Sequence, residues 1–260
     1  MSYSLVEPEH FTEEHQSFIE RFGRTIEAGS SNSNIITSTK DVRSCHLAAS
    51  DAYARLVGLS RGKDVVGRMD RDMPCDGTAA FADCFVREDR RLLESGDIRA
   101  MTSVLNIHEF ERGLGALVFD KFSLKHRPSK SILGVINCAY QANLERFVAL
   151  FPDYWSQFGL GCSIERTECE VIEGIGPFPE AEYEIAFLLA LGHDAPSIAG
   201  FLHRLDLPAE AYVDTAVSSI TDRMVHAGVP VANIRDRLIE ARVHQRMPAS
   251  LFDKVVERRN

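Results

Sequence analysis

Three strand-like runs follow one another near the middle of the chain with no helix between them: "IRAMTSVLNIHEF", "LGALVFDKFSLKH" and "SILGVINCAY". Only "ERG" separates the first two and "RPSK" the last two, joins that suit antiparallel neighbours and leave no room for a crossover. Ahead of them, "NIITSTKDVRSCHLA" reads as two short strands around a Lys40–Asp41 turn, and "SDAYARLVG" as a short helix opened by Ser50 or Asp51. "GTAAFADCFVREDRRLLESG" reads as a longer helix ended by Gly96. Two strands, a helical middle and three consecutive strands predict an α+β domain over residues 31–141, with an antiparallel five-stranded sheet packed against helices.

The flanking segments are helical. Residues 1–30 hold an amphipathic helix, with Phe11, Phe18, Ile19, Phe22 and Ile26 at helical spacing, Thr12 as N-cap and Gly29 as stop. Residues 142–178 read as a connector: Leu144, Phe147, Val148 and Phe151 make an apolar stripe up to Pro152, and "LGCSIERTECEVIEGIGPFPEAE" follows as a linker with room for one strand. Residues 179–247 predict an all-α domain of four helices: "PEAEYEIAFLLALG" stopped at Gly192, "APSIAGFLHRL", "LPAEAYVDTAVSSITDRM", and "VANIRDRLIEARVHQRM" ending before Pro248. Residues 248–260 form a tail.

A chain of 260 residues that is 45% hydrophobic can bury two cores. Its net charge of −9 opposes nonspecific affinity for nucleic acid or an anionic membrane, so any DNA contact must come from a local patch. No run of about 18 apolar residues occurs, and the N-terminus lacks the basic start and apolar core of a signal peptide; a cytoplasmic protein without a membrane partner is expected. Cys45, Cys75, Cys84, Cys138, Cys162 and Cys169 lack the paired spacing of structural zinc and read mostly as buried thiols, so no metal site is assigned. There is no G-x-S-x-G, P-loop, H-E-x-x-H or EF-hand loop; no catalytic residue is assigned and the chain is not expected to be an enzyme.

The order of elements over 31–141, with the wording "ASDAYARLVGLSRGKDVVGRMDRDMP", resembles a PAS sensor domain. The resemblance implies a cavity between the long helix and the sheet, lined by Phe81, Phe85, Leu92, Val104, Leu117, Phe119, Val135 and Cys138, which suits a small apolar ligand. Heme is disfavoured: His46, His108 and His126 fall in or beside strands, where a lone imidazole more often serves as hydrogen-bonded structure than as an iron ligand. Flavin is disfavoured as well, because no cysteine sits in the setting that light-sensing relatives show.

Residues 179–247 resemble the four-helix LuxR-type DNA-binding domain. Glu182, Glu184, Ile185, Leu188, Leu189, Ala190 and Gly192 match its first helix, Ile198, Ala199 and Leu202 its second, and Val213, Ile220 and Met224 the buried positions of its third, with Arg223 where lysine is usual. Ala209, Tyr212 and Ala216 depart from the pattern, and the segment carries ten acidic residues against six arginines. The resemblance implies DNA contacts from Thr215, Ser218, Thr221 and Arg223, and Arg235, Arg242 and Arg246, which recur at helical spacing, form either a basic stripe for DNA or an ordinary solvated face of the last helix. Taken together, the two resemblances imply a ligand- or partner-responsive transcriptional regulator acting as a homodimer, with Phe18, Phe22, Leu144, Phe147 and Phe151 as dimer and connector contacts. The acidic third helix keeps a second reading open: a protein-interaction module that binds a partner regulator, as inhibitor or co-regulator, in place of DNA.

Overall fold

Of the 260 residues, the computed structural model describes 3–31, 33–95, 97, 99–142, 159–168, 170–204 and 210–257. Contacts divide the chain into two units, Met1–Ala142 and Asn143–Asn260.

In the first unit, β1 (Ser4–Leu5) precedes α1 (Glu13–Ser30), which opens at Thr12. A hairpin follows, β2 (Ile36–Asp41) and β3 (His46–Ala49). Next comes α2 (Asp51–Leu56), whose N-cap Ser50 accepts the Tyr53 N–H at 3.1 Å. After α3 (Asp76–Ala80) and α4 (Ala82–Glu94), the chain runs through β4 (Met101–Phe110), β5 (Gly113–His126) and β6 (Ser131–Ala142). The strands lie in the order β3-β2-β6-β5-β4, all antiparallel, while β1 runs parallel to the start of β6. The antiparallel sheet with helices that the sequence predicts is therefore present.

Successive side chains of a strand point to opposite faces, so this sheet carries two cores. On one face Phe11, Phe18, Ile19 and Phe22 of the α1 region pack over Leu124, Leu133 and Ile136. On the other, Leu92 and Leu93 of α4 meet Ile132 and Val135, and Tyr53, Ala54 and Val57 of α2 meet Val65 and Met73.

Several expected boundaries move. Lys40 and Asp41 belong to β2, and the turn falls later, through Ser44 with its φ of 64°. The Asp41 carboxylate accepts N–H groups from Arg43 (2.8 Å) and Cys45 (2.9 Å), so this aspartate closes the turn from the strand end. The single long helix is two, broken at Phe81, and its expected stop, Gly96, lies outside the described residues. α1 runs through Gly29 to Ser30, because glycine only weakens a helix unless the backbone adopts the left-handed form. Of the cysteines expected to be buried, Cys75 is; Cys45, Cys84, Cys138 and Cys162 are partly exposed, and Cys169 lies outside the described residues.

In the second unit, β7 (Glu165–Thr167) is followed by a small hairpin of β8 (Val171–Ile172) and β9 (Gly176–Pro177). Then come α5 (Glu180–Ala190), α6 (Ala195–Arg204), α7 (Glu210–His226) and α8 (Ile234–Glu240), and finally β10 (Arg246–Pro248) and α9 (Ala249–Glu257). α5 is buried on nearly every side and ends at Gly192, whose φ is +92°. Val213, Ala216, Ile220 and Met224 form the buried stripe of α7, as their spacing predicts.

Three expectations fail here. The linker with room for one strand holds four strand segments, Gly159–Leu160 and β7 to β9, and β7 pairs in parallel with β10, some eighty positions later. The fourth helix stops at Glu240, where Arg242 turns left-handed with φ 57°. The expected tail carries α9, anchored by a buried carboxylate: Glu184 Oε1 accepts from Ser250 Oγ (2.5 Å) and Lys254 Nζ (2.6 Å).

Two glycine substitutions should behave in opposite ways. A Cβ on Gly62 would lie 1.9 Å from the Ala49 carbonyl oxygen, so Gly62→Ala should cost about 1–3 kcal/mol, seen as a lower urea midpoint at unchanged slope. Gly29→Ala, inside α1 with nothing within 4 Å, should stabilise by up to about 1 kcal/mol in the same assay.

Candidate functional site

Charges fasten the helical middle of the first unit to its sheet. Lys40 comes from β2, Lys121 from β5, Asp89 from α4, and Asp70 from the short 3-10 turn Asp70–Asp72; all four are buried. Lys40 Nζ donates to Asp70 Oδ2 (2.5 Å) and Asp89 Oδ2 (3.4 Å). Lys121 Nζ donates to Asp89 Oδ1 (2.7 Å) and pairs with Glu88 (2.9 Å). The left-handed Ser44 donates its hydroxyl to Asp89 Oδ2 (3.0 Å), while His46 Nε2 (3.2 Å) and the Tyr53 hydroxyl (3.3 Å) reach Asp70 Oδ1.

Burial opposes ionisation of every member, and pairing prevails for the four charges. Burial would raise the Asp70 carboxyl, but the Lys40 ammonium and the His46 contact outweigh it and hold it well below the carboxylate range. Asp89 is likewise lowered against its burial, by Lys40 and Lys121. Burial works to deprotonate both lysines, yet Asp70 and Asp89 raise Lys40, and Asp89 and Glu88 raise Lys121. Burial pushes His46 down, so it stays neutral, and pushes the Tyr53 hydroxyl well up.

Beside this network lies a cavity walled by Lys40, Tyr53, Leu56, Val57, Asp70, Thr78, Phe85, Asn106, His108, Phe110, Phe119, Lys121 and Asn137. Its volume of about 30 Å3 accommodates a water or two, so a larger guest needs the aromatic wall to give way. That wall is close-set: His108 lies 3.9 Å from Phe110 and 5.5 Å from Phe81, ring centroid to centroid.

Among the residues expected to line a pocket, Phe85 and Phe119 do so. Val104 and Leu117 share strand faces with Asn106 and Phe119 by alternation but lie outside the lining, and Phe81 stands one ring removed, against Phe85 and His108. Leu92 and Val135 belong to the α4 core. Cys138 packs on the opposite, α1 face: neighbouring residues of β6 point to opposite sides, and it is Asn137 that lines the cavity. The sequence reading missed Lys40, Asp70, Asn106, Lys121 and Asn137. A signal for one of them is present in "SVLNIHEF", where Asn106, like His108, alternates with buried Leu105 and Ile107, marking a strand buried on both faces with one face polar.

In the second unit, Thr215 and Ser218 are exposed on α7 and border an open groove with Asp222, Arg223 and the Gly174–Ile175 turn. Thr221 donates its hydroxyl to the Val217 carbonyl (2.7 Å) within its own helix. Arg223 donates to the Pro177 carbonyl (2.9 Å), pairs with Glu182 (3.5 Å) and lies over the Phe178 ring. The expected stripe of Arg235, Arg242 and Arg246 does not form, since α8 ends before Arg242 and Arg246 sits in β10, donating to the Val171 carbonyl (3.0 Å). Arg235 and Arg242 are exposed, the former packed over Gly192. Of the expected dimer contacts, Phe18 and Phe22 stack 6.1 Å apart and are half-buried on the sheet; Leu144, Phe147 and Phe151 lie outside the described residues, as does Ala209. No described helix is long and apolar enough to cross a membrane.

No family model and no curated protein matches this chain. Solved structures similar to it include phage VqmA in complex with DPO, at 24% identity over 90% of this chain and 96% of that one, with a TM-score of 0.44. Vibrio cholerae VqmA in complex with ligand and DNA is 24% identical over 94% and 93%, with a TM-score of 0.42. The PAS domain of the Cronobacter turicensis quorum-sensing receptor RpfR, in complex with BDSF, is 12% identical over 43% of this chain and 97% of that one, with a TM-score of 0.34.

Removing one member of the buried network should be costly, because its partners become unpaired buried charges. Asp89→Ala should destabilise the first unit by about 3–5 kcal/mol in urea titration. Arg43→Ala, which cuts an exposed contact to Glu7 and Glu9, should leave the urea midpoint nearly unchanged. Because the folded carboxyls of Asp70 and Asp89 are lowered, their stabilisation is present above the ordinary value of 3.8 and is lost as pH falls through the folded values. Asp89→Ala should therefore flatten the acid limb of the stability profile.

Proposed function

We propose that this chain is a small-molecule-responsive transcriptional regulator: the first unit senses, the second contacts DNA, and a homodimer couples the two. The observation that carries the reading is the cavity in the first unit, which combines three phenylalanines with polar groups held at fixed positions. Such a combination is the usual form of a small-molecule site, in which the apolar walls supply burial and a few polar groups supply orientation. Lys121, Asn106, Asn137 and Tyr53 are among its walls, which supports a guest that carries polar groups beside an apolar body.

The second unit supports a DNA contact of modest electrostatic strength. Thr215 and Ser218 offer hydroxyls on the outer face of α7, and Arg235 and Arg242 offer exposed cations nearby in sequence. Asp214 and Asp222 stand exposed on the same helix and oppose phosphate. A ligand changes affinity for DNA only through a difference in its own affinity for the two dimer arrangements.

Fluorescence anisotropy with random duplex DNA tests the reading. We expect binding at about 20 mM salt that weakens as salt rises, and that Arg235→Ala with Arg242→Ala lowers the slope of log affinity against log salt by about two. Asp214→Asn with Asp222→Asn should strengthen binding. No binding at about 20 mM salt, where counterion release most favours association, would overturn the DNA reading and leave the helical unit as a module for a partner regulator.

A further inference from the structure

Two buried imidazoles meet beneath the start of α1, on the sheet face opposite the cavity. His15 occupies the third position of the helix, where a capping box normally has glutamate or glutamine. Its backbone N–H donates to Thr12 Oγ1 (3.3 Å), and its Nδ1 accepts the Thr12 N–H (3.4 Å). Its Nε2 meets Ser129 Oγ at 2.9 Å across the gap between the helix and the β5–β6 turn. His126, at the end of β5, meets the same hydroxyl through Nδ1 at 2.7 Å. The two rings stand edge to face with centroids 5.1 Å apart, and Phe18 covers His126 at 5.1 Å.

Acceptance of the Thr12 N–H fixes the tautomer of His15. Nδ1 must carry the lone pair, so Nε2 carries the proton and donates it to Ser129. A second proton can only go to Nδ1. It would set an N–H against the Thr12 N–H, ending the reciprocal cap, and would place a charge in a buried site. The titratable groups facing His15 are Glu14 on its own helix and His126; the exposed Arg127 and Lys130 flank Ser129, and Glu9 and His10 in the preceding turn are exposed too. His126 Nε2 lies 3.6 Å from Glu14 Oε1. A charged His126 in turn opposes charge on His15.

We infer that His15 is an acid-released latch: while neutral it holds the first turns of α1 against the sheet, and its protonation frees them. Freed, this end of α1 would uncover Leu124, Leu133 and Ile136, the apolar face it now covers. Burial and the neighbouring His126 both lower His15 from its ordinary value of 6.5. For a basic group lowered in the folded state, docking is fully favoured above that ordinary value and weakens as pH falls below it.

Amide hydrogen exchange of the full-length protein, corrected for the intrinsic pH dependence of exchange, tests the latch. Between pH 7 and pH 5 the local opening of residues 13–22 should rise, with a ceiling of about 25-fold set by an ordinary histidine in the open state. The H15Q variant can keep the cap, since the glutamine carbonyl accepts from Thr12 and its amide donates to Ser129. It should match the unaltered protein at pH 7 and lose the acid response. The NMR titration of the His15 ring in the unaltered protein gives an independent reading and should have its midpoint below 6.5. A flat response in the unaltered protein, an acid response that persists in H15Q, or a His15 midpoint at or above the ordinary value would each overturn the proposal. Persistence in H15Q would assign the response to His126.

Discussion

The salt-bridged pair of carboxylates, Asp70 and Asp89, with Lys40 and Lys121 is the constraint on which the first unit depends. Each charge comes from a different element, and each loses its hydration on burial, so none is tolerable without the others. The 3-10 turn carrying Asp70 and the helix carrying Asp89 must therefore sit where β2 and β5 present their lysines. Four of the residues that wall the cavity, Lys40, Tyr53, Asp70 and Lys121, are placed by the same bonds. The left-handed Ser44 belongs to the same arrangement, since the turn it makes delivers its hydroxyl to Asp89.

The second unit solves a different problem with the same means. A single buried carboxylate, Glu184, holds α9 to α5 through Ser250 and Lys254. Several cations serve the unit itself: Arg166 pairs with Asp253, Arg237 donates to the Glu173 carbonyl, and Arg223 and Arg246 bind backbone carbonyls of the β8–β9 hairpin segment. Positive charge is thereby drawn away from the role that arginine plays at a phosphate backbone. The outer face of α7 carries exposed Thr215 and Ser218 beside exposed Asp214 and Asp222.

The elements legible in the sequence are those whose signal is local. Thr12 is legible as an N-cap, and Ser50 as one of two candidates with Asp51, because a cap involves residues within one turn; the buried stripe of α7 is legible because its period is written in consecutive residues. Elements that depend on distant partners are not legible. β7 exists only because β10 pairs with it, and nothing in "ERT" announces a strand. The break at Phe81 and the end of α8 before Arg242 interrupt patterns that remain helical in composition. The pocket was read from apolar residues alone, so its polar half went unseen and Cys138 was assigned to a face it does not share.

The sequence by itself determined the succession of strands and helices, the three-strand meander with its short turns, and the apolar faces that drive two cores together. Only the tertiary structure decided which charges pair. Lys40, Asp70, Asp89 and Lys121 are spread over more than eighty positions, and each alone reads as an ordinary surface residue. The cost of burying a charge depends on what lies within a few ångströms of it, and that proximity is a property of the folded sheet and helices, not of spacing along the chain.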